Sequence, residues 1–118
     1  MAVSNTTQLT GAAVVIDTLV AATAVVVKAS SAVLHSLQLD NSAVAAATFL
    51  KLYNNAAPTI GTTAPDAIFM IPANATISVA IPGGVTFATA LSYAAVTTGG
   101  TAGVTATTGA FALKLIYV

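Results

Sequence analysis

Short runs of alternating apolar and polar residues, each closed by a turn, fill most of this sequence and constrain its fold most strongly. In residues 44–53 one face carries Leu50 and Leu52, and the opposite face carries Lys51. A period of two is that of a β-strand, whose successive side chains point to opposite faces. Turn-forming residues separate the runs, as in Asp40-Asn41-Ser42. The pattern predicts an all-β protein.

The spacing of the runs predicts a single β-sandwich, jelly-roll-like, with eight or nine short antiparallel strands. Residues 1–20 are expected to form an N-terminal arm with one candidate strand at 13–17, and residues 21–118 the sandwich domain. A long connection, residues 54–66, is expected to cross between the sheets. The other candidate strands are 23–29, 32–39, 44–53, 67–71, 76–81, 85–87, 91–96, 104–107 and 110–117.

Charged side chains are scarce, because three Lys and three Asp make up 5% of the 118 residues. Soluble domains usually contain roughly 25% charged residues. The surface must therefore consist of small polar residues and Ala, or other copies or a partner must cover much of it. The three lysines, at positions 28, 51 and 114, form no basic stripe, so no nucleic-acid partner is expected.

The high apolar content, 57% of the residues, raises the question of a membrane span. A spanning helix needs ~20 consecutive apolar residues. The longest stretch without a charged residue lies between Asp66 and Lys114, and proline, glycine, threonine and serine interrupt it. The first residues, MAVSNTTQL, lack the basic start of a signal peptide. We therefore expect no membrane span and no secretion signal.

Candidate catalytic and metal-binding residues are few. His35 is the only histidine, there is no cysteine, and no Gly-x-Ser-x-Gly motif occurs. The three Asp lie in or beside turns, and their spacing does not pair them. Asp66 with backbone carbonyls is a conceivable calcium site, but a carboxylate that caps a turn explains it better. We expect no enzyme activity, no metal and no cofactor.

The face that carries Phe49, Lys51 and Tyr53 has two interpretations. If the opposite aliphatic face is the core, this face is a partly apolar outer surface, of a kind that contacts other chains. Alternatively, the strand is buried on both sides between two layers. The first interpretation makes Phe49, Lys51 and Tyr53 interface residues.

The middle of the chain, residues 33–100, resembles a module of phage virion β-sandwich proteins, and capsid decoration (cement) proteins most of all. The matching elements are Leu34-x-x-Leu37-x-Leu39, Phe49-Leu50-Lys51-Leu52-Tyr53-Asn54, Pro58-x-x-Gly61-Thr62-x-x-Pro65, Ile71-Pro72, Ile81-Pro82-x-Gly84 and Leu91-x-Tyr93-Ala94. The resemblance implies a homotrimer on the outer capsid surface of the virion, bound between subunits of the major capsid protein. It also implies that such a protein is made in the host cytoplasm and stabilises the phage head.

The N-terminal arm is expected to contact neighbouring subunits or the shell, with Gln8 and Leu9 as interface residues.

The alternative function is a receptor- or glycan-binding module of a tail fibre or head spike. Loop 54–66 and the tip 97–103 carry no aromatic residue, which disfavours that alternative. A third hypothesis, a major capsid or tail-tube subunit, would call for more basic residues facing DNA.

Overall fold

The computed structural model describes residues 11–118, and this part of the chain folds into eight β-strands without a helix. The all-β prediction is therefore confirmed. The strands are β1 (Ala13–Asp17), β2 (Val25–Lys28), β3 (Ala32–Asp40), β4 (Thr48–Tyr53), β5 (Ala67–Ile71), β6 (Thr76–Phe87), β7 (Leu91–Val96) and β8 (Ala112–Tyr117).

Two four-stranded sheets make up the sandwich. The first sheet has the order β1-β8-β3-β6, and the second has the order β2-β7-β4-β5. Every strand pair is antiparallel. Each strand pairs with the one equally distant from the β4–β5 connection, so β4 pairs with β5, β3 with β6, β2 with β7 and β1 with β8. This nested pairing is the topology of a jelly roll, as the sequence predicts.

The core lies between the inner faces of the sheets. Leucines dominate the core, and three aromatic rings complete it. Full burial of one such side chain contributes about 1.5–3 kcal/mol relative to an exposed one. The leucine and aromatic residues of the core are Leu34, Leu37, Leu39, Leu50, Leu52, Phe87, Leu91, Tyr93, Phe111, Leu113 and Leu115.

A large bulge interrupts the pairing of β3 with β6. Leu34 lies opposite Val85 and Ser36 opposite Ala80, so His35 alone faces residues 81–84. Gly83 and Gly84 have φ values of 79° and 76°, a conformation that L side chains rarely adopt. The Pro-Gly-Gly segment was predicted to be a turn between two strands. The structure corrects this, because the glycines let the chain bulge and then continue in the same strand.

The predicted boundary at residue 20 does not coincide with the edge of the sandwich. β1 pairs with β8 along its whole length, and Val20 is buried in the core, where its N–H donates to the carbonyl of Phe111 at 2.9 Å. The sandwich thus includes Ala13–Asp17, which the arm was expected to contain. The predicted contacts of Gln8 and Leu9 lie outside the described residues.

The predicted strand at residues 104–107 belongs to the long β7–β8 connection. The N–H of Thr97 donates to the carbonyl of Thr105 at 2.8 Å, but this bond does not extend into a strand ladder. Within residues 11–118 no helix is long and apolar enough to cross a membrane.

Candidate interaction surfaces

The outer face of β4, predicted as a candidate interface, is covered by the chain itself. Lys51 is 0% exposed, and its ammonium group donates to the carbonyl of Gly103 at 2.7 Å and to that of Thr101 at 3.3 Å. Both carbonyls belong to the β7–β8 loop. Burial disfavours the charged form and lowers the pKa of Lys51. The ammonium group of Lys51 therefore holds the β7–β8 loop in place.

Phe49 and Tyr53 are held beneath the same layer of loops. A side chain at Gly99 would lie 3.2 Å from the Phe49 ring, so the loop passes close over that ring. Tyr53 is fully buried, and its hydroxyl has no hydrogen-bond partner among the described residues. Burial raises the pKa of this hydroxyl. The interpretation of this face as an exposed interface is corrected: β4 is buried on both sides, because two long loops fold back over the second sheet.

The β4–β5 loop, the other part of this cover, is fastened at both ends. The Asp66 carboxylate accepts a hydrogen bond from the N–H of Asn54 at 2.7 Å, and the Asp66 N–H donates to Leu52 at 2.8 Å. The side-chain oxygen of Asn54 accepts from the N–H of Thr89 at 2.8 Å. Asp66 thus serves as a turn cap. Residues 11–118 contain no group of three or more His, Cys, Asp or Glu that could hold a metal ion.

Sequence reasoning missed a buried polar centre at Asn41. Its side-chain amide donates to the carbonyls of Ala46 and Pro72 at 3.0 and 2.9 Å, and its oxygen accepts from the Thr48 hydroxyl at 2.6 Å. These bonds join the β3–β4 turn to the β5–β6 turn. Asn41 was expected only as a turn residue, and nothing local in the sequence shows that its side chain points inward.

Asp17 links the two sheets. One carboxylate oxygen accepts from the hydroxyl of Tyr93 at 2.7 Å, and the other accepts from the N–H of Leu19 at 3.0 Å. Burial raises the pKa of Tyr93, and the hydrogen bond to Asp17 and its negative charge add to the rise. The edge strand β1 is thereby tied to the second sheet.

His35, the only histidine, lies at the bulge and packs over Gly84. A Cβ at Gly84 would lie 2.9 Å from Cε1 of the imidazole ring. The aspartates are bonded elsewhere, Asp17 to Tyr93, Asp40 to Ser42 and Asp66 to Asn54. The geometry around His35 is that of a packed side chain over a glycine.

Exposed apolar side chains form one patch on the outer face of the first sheet. Val14 is 51% exposed and Ile16 is 68% exposed. Val14 lies opposite Ile116 of β8, whose side chain is half-buried on the same face. We call Val14, Ile16 and Ile116 the β1 patch. Exposed clusters of large apolar residues are typical of binding surfaces.

The second sheet carries two further features, one at each edge. At the β5 edge Ile68 is 40% exposed and Met70 is 54% exposed. We call this pair the β5 ridge. At the opposite edge an open groove of about 610 Å³ lies between the start of β2, with the residues that lead into it, and the β4–β5 loop. The residues that define this β2 groove include Ala22, Ala24, Val26, Ala57, Ile60 and Val104.

The comparisons with known proteins give no functional assignment for this chain. No protein-family model matches this chain, and a search of curated proteins finds no match either. The β1 patch, the β5 ridge and the β2 groove are therefore the features from which function is argued.

Proposed function

We propose that this protein is a structural component of a phage virion, a decoration (cement) protein that binds between subunits of the major capsid protein. In this proposal it sits on the outer capsid surface as a homotrimer and stabilises the head. The observation that carries the proposal is the β1 patch, an exposed apolar surface on a chain with six charged residues. The motifs that resemble virion β-sandwich proteins support the same assignment.

The physical argument starts from the composition of the outer surface. Burial of apolar area contributes about 25 cal/mol per Å². Val14 and Ile16, both more than half exposed, have most of this contribution still to gain from a partner. Few charges have to be desolvated at such a contact. Asp17 is the only charged residue of β1, and Lys114 is the only charged residue that pairs with this strand.

A shell that repeats the same binding site many times can be bound through a surface of this modest size. A specific pairwise interface usually buries about 800 Å² on each partner, and a patch of three side chains provides less. A trimer presents three such patches to a lattice of identical sites, so that modest contacts combine into tight attachment. This argument favours a symmetric, repetitive partner such as a capsid.

The test is to mix the purified protein with capsids assembled from the major capsid protein of the same virus, and to measure co-sedimentation. Ile16→Asp is expected to weaken binding about tenfold or more, since it places a charge in the apolar contact. Ser78→Asp is the matched control, because Ser78 is an exposed polar residue on β6, at the opposite edge of the same sheet. Wild-type protein that fails to sediment with capsids would contradict the proposal.

The alternative, a receptor- or glycan-binding module, has less support. All seven aromatic residues fall within residues 11–118, and each is buried or half-buried. Pockets for small ligands usually present aromatic and apolar side chains around a few polar groups. Binding to a glycan array by wild-type protein would favour this alternative over capsid decoration.

A further inference from the structure

The two edges of the second sheet have complementary shapes. The β5 ridge projects two large apolar side chains, Ile68 and Met70, from one edge. The β2 groove, at the other edge, is lined largely by small residues such as Ala22, Ala24 and Ala57. A ridge and a groove on different edges of one sheet cannot meet within a single chain, but they can meet between two copies.

The ridge and the groove lie at the same height along the strands. Ile68 pairs with Lys51, and Lys51 pairs with Ala94 of β7. The next residue of β7, Ala95, donates its N–H to the carbonyl of Ala21 at 3.0 Å, beside the groove. A row across the sheet thus leads from the ridge to the groove. A neighbouring copy placed beside this one, without a shift along the strands, brings the ridge of one copy to the groove of the other.

Opposite charges flank the two surfaces at the same end of the sheet. Lys28 ends β2 and pairs with Leu91 at the start of β7. Asp66 immediately precedes β5, and its N–H donates to Leu52 near the end of β4. Since neighbouring strands are antiparallel, both charges lie at the same end but on opposite edges. The side-by-side placement that aligns the ridge with the groove also brings Asp66 of one copy towards Lys28 of the next.

We propose that copies of this chain associate head to tail through the second sheet, with Ile68 and Met70 of one copy in the β2 groove of the next. The inference rests on the homo-oligomer part of the proposed function and names its surfaces. Because the two contacting surfaces differ, the interface is heterologous, and a rotation that closes produces a ring. The equal height of the ridge and the groove favours closure over a helical filament.

Cysteine cross-linking tests this arrangement, since the chain has no cysteine of its own. The variants Met70→Cys and Ala24→Cys are purified separately, unfolded in urea, mixed in equal amounts, refolded together and oxidised. A disulfide needs Cα atoms within about 7 Å, so the mixture is expected to form linked dimers at least about tenfold faster than either variant alone. Ile16→Cys mixed with Ala24→Cys is the control, because Ile16 lies on the other sheet.

A second measurement separates this inference from the proposed function. Met70→Asp is expected to shift the solution mass towards a monomer, whereas Ile16→Asp leaves the mass of the oligomer unchanged and weakens capsid binding. Equally fast cross-linking of Met70→Cys with itself would overturn the inference, because it indicates a symmetric contact. An intact oligomer that cross-links in none of these mixtures would also overturn it. Capsid binding by a wild-type monomer would overturn the inference and leave the decoration function standing.

Discussion

At the scale of single residues, a few buried polar groups specify contacts that leucine packing alone would leave open. Asn41 and Lys51 are both 0% exposed, and both hold loops through backbone carbonyls. A buried polar group without a partner costs about 1–3 kcal/mol. Each of these groups therefore selects the one loop arrangement that satisfies it, and substitution of either group removes that selection.

Two buried tyrosines provide a matched pair for testing this role. Tyr93→Phe removes the hydrogen bond to Asp17, a charged acceptor, and is expected to lower the free energy of unfolding by about 1–3 kcal/mol. Tyr53→Phe removes a hydroxyl that has no partner within residues 11–118, and is expected to cost nothing or to stabilise. Urea unfolding of both variants measures the two changes. Equal changes in the two variants would show that the hydrogen bond from Tyr93 to Asp17 adds no stability.

The stability of the protein should depend on Lys51 at alkaline pH. Burial lowers its pKa, so the folded protein releases this proton at a lower pH than the unfolded chain does. Between that lowered pKa and about 10.4, the value in an unfolded chain, the unfolded state binds more protons. The free energy of unfolding therefore rises with pH in this window, and below the window Lys51 adds no pH dependence.

Lys51→Met is expected to abolish this rise, and urea unfolding from neutral pH to about pH 10.5 measures it. Tyr53 and Tyr93 have raised pKa values and act in the opposite direction at and above about pH 10. Both proteins contain these tyrosines, so their contribution cancels in the difference between wild type and variant. A difference that does not change with pH would contradict the buried position of the ammonium group.

At the scale of elements, the bulge in β6 shows how a local signal and a tertiary context combine. Gly83 and Gly84 are turn residues, and they do adopt positive φ. Strand β3, however, offers partners on both sides of this segment, at Leu34 and Ser36. Because the ladder hydrogen bonds are available beyond the glycines, the chain resumes pairing instead of reversing.

The two glycines separate backbone strain from crowding. Both have positive φ, but a Cβ at Gly83 meets nothing within 4 Å, whereas one at Gly84 meets Val33 and His35. Gly83→Ala is expected to cost about 1–2 kcal/mol of unfolding free energy, for the left-handed backbone alone. Gly84→Ala is expected to cost about 1–3 kcal/mol more, since Val33 and His35 must move. Equal losses in denaturant unfolding would contradict the packing of His35 over Gly84.

At the scale of the whole molecule, the jelly roll buries its core but leaves apolar surface at its edges. Among the described residues, Ile16, Leu19, Met70 and Val104 are all more than half exposed. None of the exposed strand edges is protected by a run of charged residues, a common device against unwanted pairing. Coverage by other copies and by a shell, as in the proposed function, would remove this surface from water.

The solution mass tests this view directly. Light scattering after gel filtration is expected to give three times the chain mass of 11.6 kDa. Each copy in a cyclic trimer buries its β5 ridge and its β2 groove. We therefore expect that dilution releases few monomers. A single-chain mass would contradict the homotrimer, and co-sedimentation with capsids would then decide the decoration function separately.

The all-β class and most strand positions could be predicted from the sequence, because strand alternation and turn residues are local signals. The predicted segments 67–71 and 91–96 coincide with β5 and β7. The jelly-roll architecture also followed from the number and spacing of these segments. Such predictions need only the period of two and the conformational preferences of Gly, Pro and Asn.

The orientation of side chains was decided by tertiary structure. Strict alternation along 32–39 would place Leu37 and Leu39 on the face opposite Leu34, but the bulge at His35 turns all three towards the core. Likewise, alternation placed Lys51 on an outer face, and only the β7–β8 loop, about fifty residues further along the chain, determines that this face is covered. The candidate interface residues therefore lie at the sheet edges and not on β4. Strand propensity acts between near neighbours, whereas burial depends on which distant segments pack on each face.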